Sequence, residues 1–230
     1  MGEGKFVPSF DGNLRNHMVL VPQCISKASG IRIFGRRIKS LAFTTDVAII
    51  RNINADAIIA VYPFTPQPAI THGLMAAADM PIFVGVGGGV TRGPRVVALA
   101  QNAEFEGAFG VVVNAPTEND IITELKRTID IPIVVTVVSE YADVEGRLEA
   151  GADIINVSGA GKTPNIVRGI REKYPNIPII ATGGPTEESI SETIDAGANA
   201  ITYTPPSNGE LFAINMRRYR EQAEKLKAKL

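Results

Sequence analysis

The sequence predicts an α/β fold: a single (β/α)8 barrel preceded by an N-terminal extension. Three observations predict it. From Ile38 onward, short apolar runs rich in Val and Ile alternate with helical segments at a spacing of roughly 20 to 28 residues, the mark of parallel βα units. The runs carry few charges, as strands covered on both faces do. The joints also repeat. Pro81, Pro132 and Pro178 each stand where a strand begins, a place that tolerates the missing N–H. Gly151-Ala152-Asp153 and Gly197-Ala198-Asn199 set a glycine just past a helix end. An open doubly wound sheet is the alternative, but it would usually split into two crevice-forming halves, whereas near-equal units fit closure.

In order, residues 1–37 stand outside the repeat and form the extension, and residues 38–230 form the barrel. Met18 to Val21 reads as a short strand. Ile31 to Ile38 alternates apolar and basic residues around Gly35, which predicts a hairpin covering the barrel floor or meeting a second subunit. The strands are expected at 39–44, 56–62, 81–86, 107–113, 131–138, 153–157, 177–181 and 199–203. Helices are expected from Asp46, over 68–78, 94–104, 118–129, 144–150 and 164–173, after Thr186, and over 210–227. Thr186 reads as an N-cap with Glu187 and Glu188 in the first turn, where negative charge suits the helix dipole.

The chain has 230 residues and a formal net charge of −1, so nothing electrostatic argues for nucleic acid or an anionic membrane. The start lacks a signal-peptide pattern, and no apolar run reaches the ~20 residues of a membrane helix. A cytoplasmic protein, a homo-oligomer of two or more copies, is the expectation. The single cysteine, Cys24, excludes an intrachain disulfide and reads as an ordinary small apolar residue. Neither histidine has a partner at metal-ligand spacing, so no metal and no cofactor is expected.

Chemistry in such a barrel sits at the carboxyl ends of the strands. Thr182, Gly183 and Gly184 after the seventh strand, with Thr204 after the eighth, form the expected phosphate site, because bare N–H groups and a helix N-terminus favour an anion. Ser158 and Gly159 belong to the same rim. Ser158-Gly159-Ala160-Gly161-Lys162-Thr163 is not a nucleotide P-loop, since Asn156 stands where that motif needs its first glycine. Lys162 can clamp an anion, polarise a carbonyl or form a Schiff base. Glu140 is the expected proton carrier, Asn114 and Asn156 the amides that orient a hydroxyl or an oxyanion. Asp46 is either an acid–base group or simply the cap of the first helix. Arg92, beside Gly87-Gly88-Gly89, is the expected carboxylate ligand.

Taken together, IPIIATGGPTEESI and GANAITYTPP at the phosphate end, with IPIVVTVVSE and GADIINVSGAGKT in the wall, resemble the phosphate-binding (β/α)8 (TIM) barrels. That superfamily includes indole-glycerol-phosphate synthase, thiazole synthase, keto-deoxy-phosphogluconate aldolase and sugar-phosphate epimerases. The likeness runs over about residues 38–208, and the chain is also similar to bacterial barrel proteins labelled hydrolase. The aldolases carry their lysine within strand six, where this chain has Asn156. Flavin barrels carry a Gly-rich turn after strand eight, where this chain has Thr204-Pro205-Pro206. The resemblance implies a lyase, isomerase or hydrolase that binds a small phosphorylated metabolite. The alternative is a non-enzymatic sensor of such a metabolite, consistent with few catalytic histidines, cysteines or paired carboxylates.

Overall fold

The structure, a computed structural model, describes residues 18–227 together with residues 6, 8, 10 and 12. Ahead of the barrel, β1 (Ile31–Ile33) and β2 (Arg36–Ile38) pair as an antiparallel hairpin. Eight strands then close the barrel: β3 (Ser40–Phe43), β4 (Ala57–Ala60), β5 (Ile82–Gly87), β6 (Gly110–Val113), β7 (Ile133–Val137), β8 (Ile154–Val157), β9 (Ile179–Thr182) and β10 (Ala200–Tyr203). They pair in parallel and in sequence order, and β10 returns to β3, so the sheet has no free edge to protect. The helices are α1 (Val47–Ile50), α2 (Pro68–Ala77), α3 (Pro94–Phe105), α4 (Asn119–Thr128), α5 (Val144–Glu149), α6 (Thr163–Lys173), α7 (Glu187–Asp195) and α8 (Asn208–Lys227).

Side-chain alternation along each strand divides the core in two. Leu41, Ile59, Phe83, Val112, Val134, Ile154 and Ile180 fill the barrel interior. Their outward neighbours, among them Ile58, Val84, Val111, Ile155 and Ile201, pack against the helices. Ile31, Ile33 and Ile38 of the hairpin belong to the interior group. The hairpin turn has Phe34 at φ 44° and Gly35 at φ 78°, the double positive φ that a two-residue hairpin loop requires. The Phe34 ring meets Phe109 edge-on at 5.2 Å, and Phe109 meets Phe83 at 6.0 Å. Since Phe109 precedes β6 and the Gly30 N–H donates to the carbonyl of Asn199, ahead of β10, the hairpin lies across the amino-terminal end of the barrel.

Polar residues that stand just before β4, β8 and β10 fasten the starts of neighbouring strands. Asp56 Oδ2 accepts from the N–H groups of Lys39 and Ser40, Asp153 Oδ2 from Ile133 N–H, and Asn199 Oδ1 from Ile179 N–H. Each side chain satisfies the first amide of the neighbouring strand, which has no ladder partner of its own. Arg171 adds a second fastening. Its guanidinium donates to the carbonyls of Pro175, Ile177 and Gly197 and to Asn199 Oδ1. Asp153→Ala is expected to lower unfolding stability by about 1–3 kcal/mol, the usual result of orphaning a buried hydrogen-bond partner, as read by urea denaturation at constant m.

Two departures from expectation concern the same place. The first helix is only one turn, because Val19 pairs with the chain just beyond it: Val19 N–H donates to Asn52 O and Asn54 N–H to Val19 O. Val19 thus makes a single parallel bridge and not the expected strand. From there the segment runs to a 3-10 turn (Gln23–Lys27) that packs on α7, with Ile25 1% exposed in the outer core. Residues 19–27 therefore line the wall between α7 and α1. The last helix, expected as the eighth wall element, does not fill that gap. Beyond Leu211, the described side chains of α8 are exposed.

Candidate functional site

Toward the carboxyl ends, the inward positions change from apolar to polar on four neighbouring strands. Thr136 on β7, Asn156 on β8, Thr182 on β9 and Thr202 on β10 form this layer, with Thr136 in register with Asn156 and Thr182 with Thr202. Asn156 Nδ2 donates to Thr136 Oγ1 at 3.1 Å. Asn156 and Thr202 are only 8% and 7% exposed, yet among the described residues Asn156 Oδ1 and Thr202 Oγ1 have no partner. An unpaired buried polar atom costs about 1–3 kcal/mol. One step higher, Thr182 Oγ1 donates to Ser158 Oγ at 3.3 Å. On the rim, Lys162 Nζ stands 3.9 Å from Glu140 Oε1, both side chains exposed. Lys162 ends a 3-10 turn (Ala160–Lys162) that leads into α6.

The structure thus brings Asn156, Ser158 and Thr182 together at the mouth, whereas Glu140 lines a cleft between α5 and α6 with Asp143, Asn165 and Lys173. Gly184 and Thr204 lie in the adjoining cavity of about 740 Å3, with Thr182, Thr202, Pro205 and Pro206. Among the described residues its charged lining is Glu187 and Glu210, with no lysine or arginine. The Ser207 N–H and hydroxyl hold the Glu210 carboxyl below the usual carboxylate range. At the α7 N-terminus, the backbone N–H of Glu188 and the Thr186 hydroxyl do the same for Glu188, so the helix's positive end already faces a carboxylate of its own.

Two glycines expected at the phosphate have other work. Gly183 N–H donates to Thr202 O, and a Cβ there would lie 2.7 Å from Ile190 and Ile201. Gly159 N–H donates to Thr163 Oγ1, and a Cβ would lie 2.4 Å from Ile166. Both let a helix approach the sheet closely. Gly184, at φ 83°, is the glycine that lines the cavity.

Of the other expected residues, Asp46 and Asn114 share a cavity with Thr204, and Arg92 lies apart. Asp46 is the N-cap of α1: its Oδ1 accepts from Ala48 and Ile49 N–H and from Asn208 Nδ2. Arg92 turns onto its own loop, where Nε donates to Gly89 O, and lines a cleft with Pro116, Thr117 and Glu118. Asn114 lines a largely apolar part of the mouth with Val61, Tyr62 and Pro63, in the same cavity as Asp46 and Thr204. There it packs on Gly88, whose Cβ would fall 2.6 Å from its own. Sequence reasoning missed Thr202, although it lies two residues before Thr204 and so on the same strand face. Among the described residues no three His, Cys, Asp or Glu side chains gather as a metal site, and no helix is long and apolar enough to cross a membrane.

No protein-family model matches the chain, and no curated protein matches it. Solved structures do. The chain is similar to a 2,3-dimethylmalate lyase of the PEP mutase/isocitrate lyase superfamily (TM-score 0.61, 13% identity, 90% of this chain and 82% of that one). It is similar to the phosphoenolpyruvate phosphomutase of Streptomyces platensis subsp. rosaceus (TM-score 0.59, 15% identity, 82% and 83%). It is also similar to the 4-hydroxy-tetrahydrodipicolinate synthase of Methylacidiphilum fumariolicum SolV (TM-score 0.56, 14% identity, 72% and 67%). The fold is a TIM barrel. At these identities the likeness reaches the fold and stops there.

Proposed function

We propose that the protein is an enzyme of the lyase, isomerase or hydrolase kind, acting on a small phosphorylated metabolite at the carboxyl-terminal mouth of the barrel. The observation that carries this reading is the buried polar layer with two atoms unpaired among the described residues, Asn156 Oδ1 and Thr202 Oγ1, on strands that end near an exposed lysine–glutamate pair in the loops after β7 and β8. Buried polar atoms are seldom left unpaired unless a ligand or ordered water completes them. The layer is neutral, so it suits a hydroxyl or carbonyl group of the substrate. The anionic end then lies against Ser158, Thr182 and Gly184, with Lys162 as the cation. In this arrangement Lys162 polarises the carbonyl or holds the charge that develops on it, and Glu140 moves the proton. The neighbours named a lyase, a phosphomutase and a synthase are all enzymes, which supports catalysis over mere binding.

The test uses phosphoenolpyruvate, pyruvate and inorganic phosphate as probes, by thermal shift and then by NMR for turnover. Binding with conversion of an organic probe supports the reading, whereas tight binding without conversion of any probe favours the sensor. Thr202→Val separates function from stability. It removes an unpaired buried hydroxyl at equal volume, so the free protein is expected to gain about 1–2 kcal/mol. The same change is expected to weaken ligand binding roughly 2- to 10-fold, one neutral hydrogen bond's worth. A variant that is less stable, or that binds as well as the parent, counts against ligand contact at Thr202.

A further inference from the structure

α8 has 20 residues, which makes it ~30 Å long. It leaves the barrel after Leu211, and its place in the wall is held by residues 19–27. A helix of this length draws most of its stability from packing an apolar face, yet Phe212, Met216 and Tyr219 are 67%, 44% and 59% exposed. With Ala223 they recur at steps of 4, 3 and 4 residues, the spacing of a seam between two helices. Arg217, Arg218, Glu221, Glu224 and Lys225 all fall off that line.

We infer that α8 is a self-association seam, and that two copies of the chain pair through it in antiparallel fashion. Volume favours this direction. Antiparallel pairing sets Phe212 opposite Ala223 and Met216 opposite Tyr219, one large residue against a smaller one. Parallel pairing would stack Phe212 on Phe212 and leave a gap between the two Ala223 methyls, a poor fit for a close-packed core. Charge favours it too. The foot of the helix is acidic, with Glu210 beside Glu187 around the 740 Å3 cavity, whereas the far end carries Lys225 and Lys227. Reversing one copy lays the basic end of each helix over the acidic foot of the other, where opposite charges steer and fix the register. Among the described residues that line the cavity itself there is no cation, and the second copy brings one to its edge.

Sedimentation equilibrium tests the inference on the full chain. The parent is expected to run at twice the chain mass at tens of micromolar. Met216→Glu and Tyr219→Glu are each expected to run as monomers with an unchanged melting temperature for the barrel, because neither side chain packs on it. Cysteine cross-linking reads the direction. Mixed Met216→Cys and Tyr219→Cys chains are expected to join in heterodisulfides in preference to homodisulfides. A monomeric parent overturns the proposal, as does a dimer that survives both glutamates. Flotation with equimolar phosphatidylcholine and phosphatidylglycerol vesicles covers the remaining occupant: a parent that is monomeric in solution and floats with the vesicles replaces the dimer with a lipid surface.

Discussion

Gly88→Ala is expected to remove about 2–6 kcal/mol of unfolding stability. Two effects add. Gly88 sits at φ 90°, where a side chain costs about 1–3 kcal/mol in strain. The new Cβ would also lie 2.6 Å from Asn114 Cβ and 2.7 Å from Asn114 N. Backbone cannot swing aside as a side-chain tip can, so overpacking adds about 1–3 kcal/mol. Gly89→Ala provides the control. Gly89 has φ 100° but open space where a Cβ would point, so only the strain remains. Urea unfolding of the two variants reads the difference, and equal losses would show that the Asn114 contact costs nothing. The loop after β5 has to touch the strand end after β6, and that contact holds Asn114 at the mouth.

Under the proposed function, Lys162→Met and Glu140→Gln are each expected to lower kcat/KM by about 10²–10⁴-fold, the usual contribution of a positioned proton carrier or charge. Stability should barely move, because an exposed ion pair contributes about 0–1 kcal/mol. If the two act as one unit, the double variant loses little more than either single one, since catalytic groups that work together are grossly non-additive. Steady-state kinetics on the probe that turns over, alongside melting temperatures, provides the check. Single variants with full activity would remove the pair from the chemistry and leave it as a solvated surface contact.

Much of the fold was legible because it rests on local patterns. Val111, Val113, Ile155 and Val157 face helices while Val112 and Ile154 face the interior, and a strand buried on both sides reads as one continuous apolar run. Pro94 and Thr186 marked their helix starts through fixed φ and side-chain capping. The place of α8 was not legible. Its amphipathic spacing predicts a helix but cannot say which surface the apolar line meets, and a distant segment, 19–27, had already taken the wall position. The site divided in the same way. Ser158 and Thr182 stand at strand ends, which position in the repeat reveals, whereas Glu140 and Lys162 lie farther along the loops after β7 and β8. Gly183 and Gly159 looked like phosphate glycines because the sequence shows a missing side chain without showing whether a ligand or a helix needs the room. Thr202 went unnoticed because one threonine inside an apolar strand gives no sign of which way it faces until its neighbours are placed.

With its interior packed and the hairpin over its amino-terminal end, the barrel is open to a ligand at one end only. Ile31 and Ile33 cover one end of an interior that Leu41, Phe83 and Ile154 already fill, so under the proposed function a ligand must leave by the door it came through. Exit is then a reversal of entry, and a lingering product bars the next arrival. Inhibition by product should accordingly be competitive, overcome by raising the concentration of reactant.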